Sequence, residues 1–88
     1  MTENREILRH IDHTLLKATA EWEEIRKLCE EAVTYGTASV CIPPCYVERV
    51  HKSFGNSLDI CTVIGFPLGY STRETKVFEA KDAVSKGA

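Results

Sequence analysis

The 88-residue sequence has no C-x-x-C pair, no G-x-x-x-x-G-K-[ST] loop and no G-x-G-x-x-G turn. The first absence argues against zinc ribbons and thioredoxin-like motifs; the other two remove the common phosphate- and dinucleotide-binding loops. No apolar run approaches the ~20 residues of a membrane span, and the start, Met1-Thr2-Glu3-Asn4-Arg5-Glu6, has no signal-peptide core. A formal net charge of −2 gives no basic footprint for nucleic acid. Low-complexity tracts, flexible linkers and internal boundaries are also missing. The expectation is a soluble, cytoplasmic protein with no nucleic-acid or membrane partner. Its composition, 43% hydrophobic and 27% charged, is that of one ordinary folded domain. The four cysteines, Cys29, Cys41, Cys45 and Cys61, are expected to be reduced and metal-free. Cys29 and Cys61 lie inside apolar patterns, where free cysteine behaves as a small buried hydrophobe.

What is present is a repeating rhythm. After a short helix at about Asn4–Arg9, Ile11-Asp12-His13-Thr14 reads as a first strand. Thr19 is placed to cap a helix with Glu21, Glu23 and Glu24 in its first turn, where carboxylates suit the positive end of the helix dipole. Trp22, Ile25, Leu28, Cys29 and Ala32 recur at helical spacing, and Gly36 suits a left-handed helix end. Ala38–Ile42 reads as a second strand stopped by Pro43-Pro44, with a helix over about Cys45–Phe54 carrying Val47, Val50 and Phe54 on one side. The run Ile60-Cys61-Thr62-Val63-Ile64 reads as a third strand buried on both faces, ending in Gly65-Phe66-Pro67-Leu68-Gly69. Ser71 and Glu74 form a candidate capping box for a last helix running through Val77, Ala80 and Val84 to Gly87.

Strand–helix repeated three times predicts parallel strands with right-handed crossovers. The fold class expected is α/β: a short N-terminal helix and the first three βα units of a TIM (β/α)8 barrel, an incomplete barrel, since a full one takes ~250 residues. In such folds ligands bind at the C-terminal ends of the strands. The residues there are the candidates for chemistry. Asp12 and Thr14 share a face of the first strand, and fit either a pocket or a network that satisfies backbone groups at the strand end. His13 points to the opposite face and reads as structural, and His10 and His51 read as surface residues on helices. Cys41 lies near the end of the second strand with no histidine close in sequence to activate it, and reads as a packed thiol. Cys45 near a helix start has no companion either. Lys17, Lys76, Lys81 and Lys86 fall in loops or on helices. None occupies a strand, where a desolvated Schiff-base lysine would be expected.

Asp12-His13-Thr14-Leu15-Leu16-Lys17, Ser39-Val40-Cys41-Ile42-Pro43-Pro44 and Cys61-Thr62-Val63-Ile64-Gly65-Phe66-Pro67-Leu68-Gly69, in this order and spacing, resemble the first three strand ends of deoxyribose-phosphate aldolases. Glu74-Thr75-Lys76, Glu79-Ala80 and Lys86-Gly87-Ala88 also fit. The resemblance implies a class I aldolase that cleaves 2-deoxyribose 5-phosphate reversibly to acetaldehyde and glyceraldehyde 3-phosphate. It does so through a lysine Schiff base, without metal or other cofactor. It further implies that residues 1–88 are the N-terminal part of a single (β/α)8 domain. Asp12 and Thr14 would then belong to the polar network at the substrate, with Leu16, Val63 and Phe66 at the pocket wall. Cys41 would lie beside the reacting centre without being required. The family's Schiff-base lysine, its proton-relay residues and its phosphate loops come from later strands, so no catalytic residue is expected in this sequence, and the 88 residues alone are expected to be inactive. The resemblance makes a sugar phosphate the partner of the full-length protein. Homo-oligomerisation, or self-association through the open sheet edge, is the alternative expectation from another class: a structural module without activity.

Overall fold

The computed structural model describes residues 2–88. Helix α1 (Thr2–Leu8) precedes strand β1 (Asp12–Thr14), followed by α2 (Trp22–Tyr35), β2 (Ser39–Ile42), α3 (Val47–Phe54), β3 (Ile60–Thr62) and α4 (Arg73–Lys86). The strands form one parallel sheet in the order β1-β2-β3, with Thr14 opposite Cys41 and Cys41 opposite Cys61. The expected βα order and strand direction are therefore present.

One face of the sheet carries the core. Val40 and Ile42 point toward α2 and α3, and Ile25, Leu28, Cys29, Ala32, Val47 and Val50 close over them. Ile25, Val40, Ile42, Val47 and Val50 have no exposed surface at all. Trp22, Phe54 and Ile60 pack at the margin of the core as partly buried neighbours. Burial pushes the Cys29 thiol up to about 11 from its ordinary 9.0. Gly36 ends α2 at φ 68°, donating its N–H to the Ala32 carbonyl, as its position in the sequence suggested.

Several expectations are corrected. Helix α2 starts at Glu21, not Thr19: Glu21 is the N-cap, and the Glu24 carboxylate accepts its N–H at 3.0 Å. Thr19 sits in a turn two residues before the N-cap, too early to reach the first free amides. Pro44–Tyr46 forms a 3-10 turn, and the α-helix begins only at Val47, so Cys45 lies exposed on that turn. Thr72, not Ser71, caps α4, accepting the Thr75 N–H at 3.4 Å. His10 lies in the turn after α1 rather than on a helix.

Two findings alter the picture of the third unit. Strand β3 is only three residues long, and it is not buried on both faces: Cys61 is exposed. A run of β-branched side chains suits a doubly covered strand, but β3 is an edge here, and it is β2 whose four residues are all buried. Helix α4, which runs through Val77 and Val84 as expected, leaves both of them outside the core. They are 45% and 67% exposed, and Ala83 is the residue it buries. Small side chains allow its end to approach α3 closely: a Cβ on Gly87 would stand 2.6 Å from the His51 ring.

Candidate active site

Alternation along the strands sorts the polar residues onto the sheet face away from α2 and α3. Asp12, Thr14, Ser39, Cys41 and Cys61 fall on that face by register. The Asp12 carboxylate accepts the Ser39 hydroxyl at 2.7 Å, joining β1 to β2. The Thr14 hydroxyl donates to the Asp12 backbone carbonyl at 2.7 Å. His13 points the other way and meets the Glu31 carboxylate of α2 at 3.0 Å, in keeping with a structural role. Burial, the Cys61 thiol and the Asp12 carboxylate together push the Cys41 thiol up to about 11. That value makes Cys41 a poor nucleophile at neutral pH.

Beyond the strand ends lies a hollow of about 330 Å³, lined by Leu16, Ala18, Pro43, Pro44, Val63, Phe66, Pro67 and Glu79. Each strand contributes the segment that follows its last residue. Leu16, Val63 and Phe66 are thus brought together in this hollow. Asp12, Thr14 and Cys41 lie on the adjoining strands and do not line it. Phe66 is 53% exposed, so its ring forms a rim rather than a sealed wall.

The loop carrying Leu16 is held from two sides. Lys17 pairs with Glu24 at 2.7 Å, holding that carboxyl below its usual range, and the Tyr46 hydroxyl donates to the Ala20 carbonyl at 2.8 Å. Trp22 stacks at a tilt on Tyr46, with the Arg49 guanidinium 3.9 Å from its ring centre.

The turn after β3 is held by α4. The Glu79 carboxylate accepts the Gly65 N–H at 2.7 Å, and the Lys76 ammonium donates to the Gly69 carbonyl at 2.8 Å. Gly65 and Gly69 adopt φ of 62° and 73°, and the Gly69 N–H closes onto the Gly65 carbonyl at 2.6 Å. The left-handed backbone favours glycine at both. At Gly65 a Cβ would also press to 3.2 Å on Lys76 and Ser71 side-chain atoms.

Lys76 and Glu79 were not picked out as site residues from the sequence. The available signal was their i, i+3 spacing on one face of α4, followed by small Ala80 and Ala83 on the same stripe. No group of acidic, histidine or cysteine side chains among the described residues is arranged to hold a metal ion. No helix among them is long and apolar enough to cross a membrane.

Parallel strand–helix units with a hollow at the strands' C-terminal ends define a stretch of (β/α)8 barrel. No family model matches the chain. Among curated proteins, the deoxyribose-phosphate aldolase of Clostridioides difficile (strain 630) is 60% identical over 84 residues, 96% of this chain and 38% of its own length. That of Clostridium botulinum (strain Alaska E43 / Type E3) is 55% identical over 85 residues, 97% of this chain and 38% of its own. Among solved structures, the deoxyribose phosphate aldolase of Aeropyrum pernix, described as a unique tetramer, superposes with a TM-score of 0.93 at 32% identity. That match covers 100% of this chain and 38% of the other. By sequence and fold the chain belongs to the deoxyribose-phosphate aldolases, and it spans about 38% of the length of these curated relatives.

Proposed function

We propose that the chain supplies three strand ends to the substrate site of a class I deoxyribose-phosphate aldolase. The reaction would be reversible cleavage of 2-deoxyribose 5-phosphate to acetaldehyde and glyceraldehyde 3-phosphate, through a Schiff base and without a metal. Residues 1–88 would then be the N-terminal part of one (β/α)8 domain acting in the cytoplasm. One observation carries the reading: Leu16, Val63 and Phe66, from separate strand-end segments, meet in one hollow beside a polar sheet face. In that setting Leu16, Val63 and Phe66 offer an apolar wall to the carbon skeleton of the sugar. Asp12, fixed by Ser39, and Thr14 supply polar groups on the adjoining sheet face, and Cys41 stays a neutral thiol at neutral pH.

The electrophile is a different matter. The lysines at positions 17, 27, 52, 76, 81 and 86 all lie off the strands. Lys17 is engaged by Glu24, Lys76 by the Gly69 carbonyl and Lys86 by Asp82. None is a buried amine enclosed by apolar side chains of the kind Schiff-base chemistry uses.

The test is a chimera in which these residues replace the matching stretch of the Clostridioides difficile relative. The expected result is cleavage of 2-deoxyribose 5-phosphate, with Phe66→Ala raising KM on the order of tenfold. A folded chimera without activity would overturn the reading. Borohydride added to the 88-residue chain with the same sugar should trap no adduct.

A second reading has its own observation. The outer edge of β3 is unpaired, and Val77, Phe78 and Val84 of α4 are exposed. These features favour self-association of the chain as a structural module. Light scattering across a concentration series that finds only monomer would remove it.

A further inference from the structure

The open face of the sheet places two thiols side by side. Cys41 of β2 and Cys61 of β3 are direct partners in parallel register. Neighbouring strands run about 4.8 Å apart, and side chains at paired positions leave the sheet on the same side. That spacing falls inside the roughly 4.4–6.8 Å Cα separation usual for a disulfide. The other two cysteines have no such neighbour: Cys29 is sealed in the core, and Cys45 sits on the turn after β2. Access differs within the pair, since Cys61 is exposed and Cys41 is 9% exposed. Burial, the Cys61 thiol and Asp12 keep Cys41 protonated, so the exposed Cys61 is the point of entry for an oxidant.

We propose that Cys41 and Cys61 form a redox-responsive dithiol beneath the hollow, closed by hydroperoxides into a disulfide that staples β2 to β3. In the first step the Cys61 thiolate attacks the peroxide O–O bond. A sulfenic acid forms on Cys61, and the other oxygen leaves as hydroxide, which takes up the thiol's proton to give water. In the second step Cys41 sulfur attacks the Cys61 sulfur, the S–O bond breaks, and the departing hydroxide takes the Cys41 proton to leave as water. Two thiols and one hydroperoxide thus become one disulfide, one water and the alcohol or water derived from the peroxide, with two electrons passing from sulfur to oxygen. The staple would fix the segment entering Val63 and Phe66 against the one entering Pro43, both of which line the hollow. This inference does not depend on the aldolase reading.

The test uses the 88-residue chain treated with stoichiometric hydrogen peroxide, alkylated without reduction, and examined by intact mass and peptide mapping. The expected result is a monomer about 2 Da lighter than the reduced chain before alkylation, which takes up no alkyl group at Cys41 or Cys61 and yields peptides of these two cysteines linked to each other. Cys45→Ser should leave that link in place, whereas Cys61→Ser should abolish it and leave Cys41 open to alkylation. Mapping of the unsubstituted chain decides the matter even where a variant fails to fold. Three outcomes would overturn the proposal: over-oxidised Cys61 beside a free Cys41, dimers joined through Cys45 or Cys61, or four thiols unchanged by excess peroxide.

Discussion

Around β2 every strand residue is buried, and α2 and α3 close over it with Ile25, Leu28, Cys29, Val47 and Val50, whereas α4 buries only Ala83 and leaves Phe78 75% exposed. The first region is held by apolar area removed from water, at roughly 25 cal/mol per Å². The second is held largely by polar contacts, Glu79 on the Gly65 amide and Lys76 on the Gly69 carbonyl, together with the close fit of Gly87 against His51. The comparison teaches that a segment can be positioned accurately with little core of its own. Phe66, the rim of the hollow, sits on the less protected of the two.

The largest expected effect lies in the core. Ile42→Ala should cost about 3 kcal/mol in urea unfolding, because it removes buried methylenes and leaves a cavity. Phe78→Ala in α4, at a more exposed position, should stay within about 0.5 kcal/mol. Equal losses at the two positions would break the comparison.

Alkaline pH should weaken the core by a related amount. The folded Cys29 pKa is raised from 9.0 to about 11, so its stabilising contribution is intact below pH 9 and is lost as pH climbs through 11. At about 1.4 kcal/mol per pH unit the loss approaches about 3 kcal/mol. Cys29→Ala should remove the Cys29 share of that slope in denaturant titrations, leaving the part that Cys41 contributes over the same window.

A smaller effect belongs to the turn. Glu79→Ala should lower stability by about 1 kcal/mol and speed exchange of the Gly65 amide, with Glu79→Gln recovering part of it by keeping an acceptor. Thermal melts should also separate the two candidate caps of α4. Thr72→Ala should cost about 0.5 kcal/mol, the low end for a cap given its 3.4 Å bond, and Ser71→Ala close to nothing.

The order of elements was legible because its punctuation is chemically strong. Pro43-Pro44 cannot continue a strand ladder, and Gly36 and Gly87 occupy positive-φ helix ends. The caps were displaced by one or two residues because Thr19 and Ser71 stand close to groups that do the same work from better positions, Glu21 and Thr72. The burial of β3 was misread because Ile60, Val63 and Ile64 report what a strand is suited to pack against, not whether a partner is present. On α4 the apolar residues Val77, Ala80 and Val84 set the apparent period, while the stripe that turns inward is Lys76, Glu79, Ala80 and Ala83. A polar helix face that grips a turn carries no hydrophobic signature. At the site, the family resemblance implies a pocket-wall role for Leu16, Val63 and Phe66, and these three line the hollow. The grip of α4 on the turn beside them rests on Lys76 and Glu79, polar residues that leave no hydrophobic pattern in the sequence.

Hydrogen exchange resolved by residue on the 88-residue chain tests the contrast between the two regions most directly. The account predicts that the amides of Val40 and Ile42 open only with global unfolding, while those of Val77–Val84 exchange through a partial opening at lower free energy. Protection of α4 equal to that of β2 would contradict it.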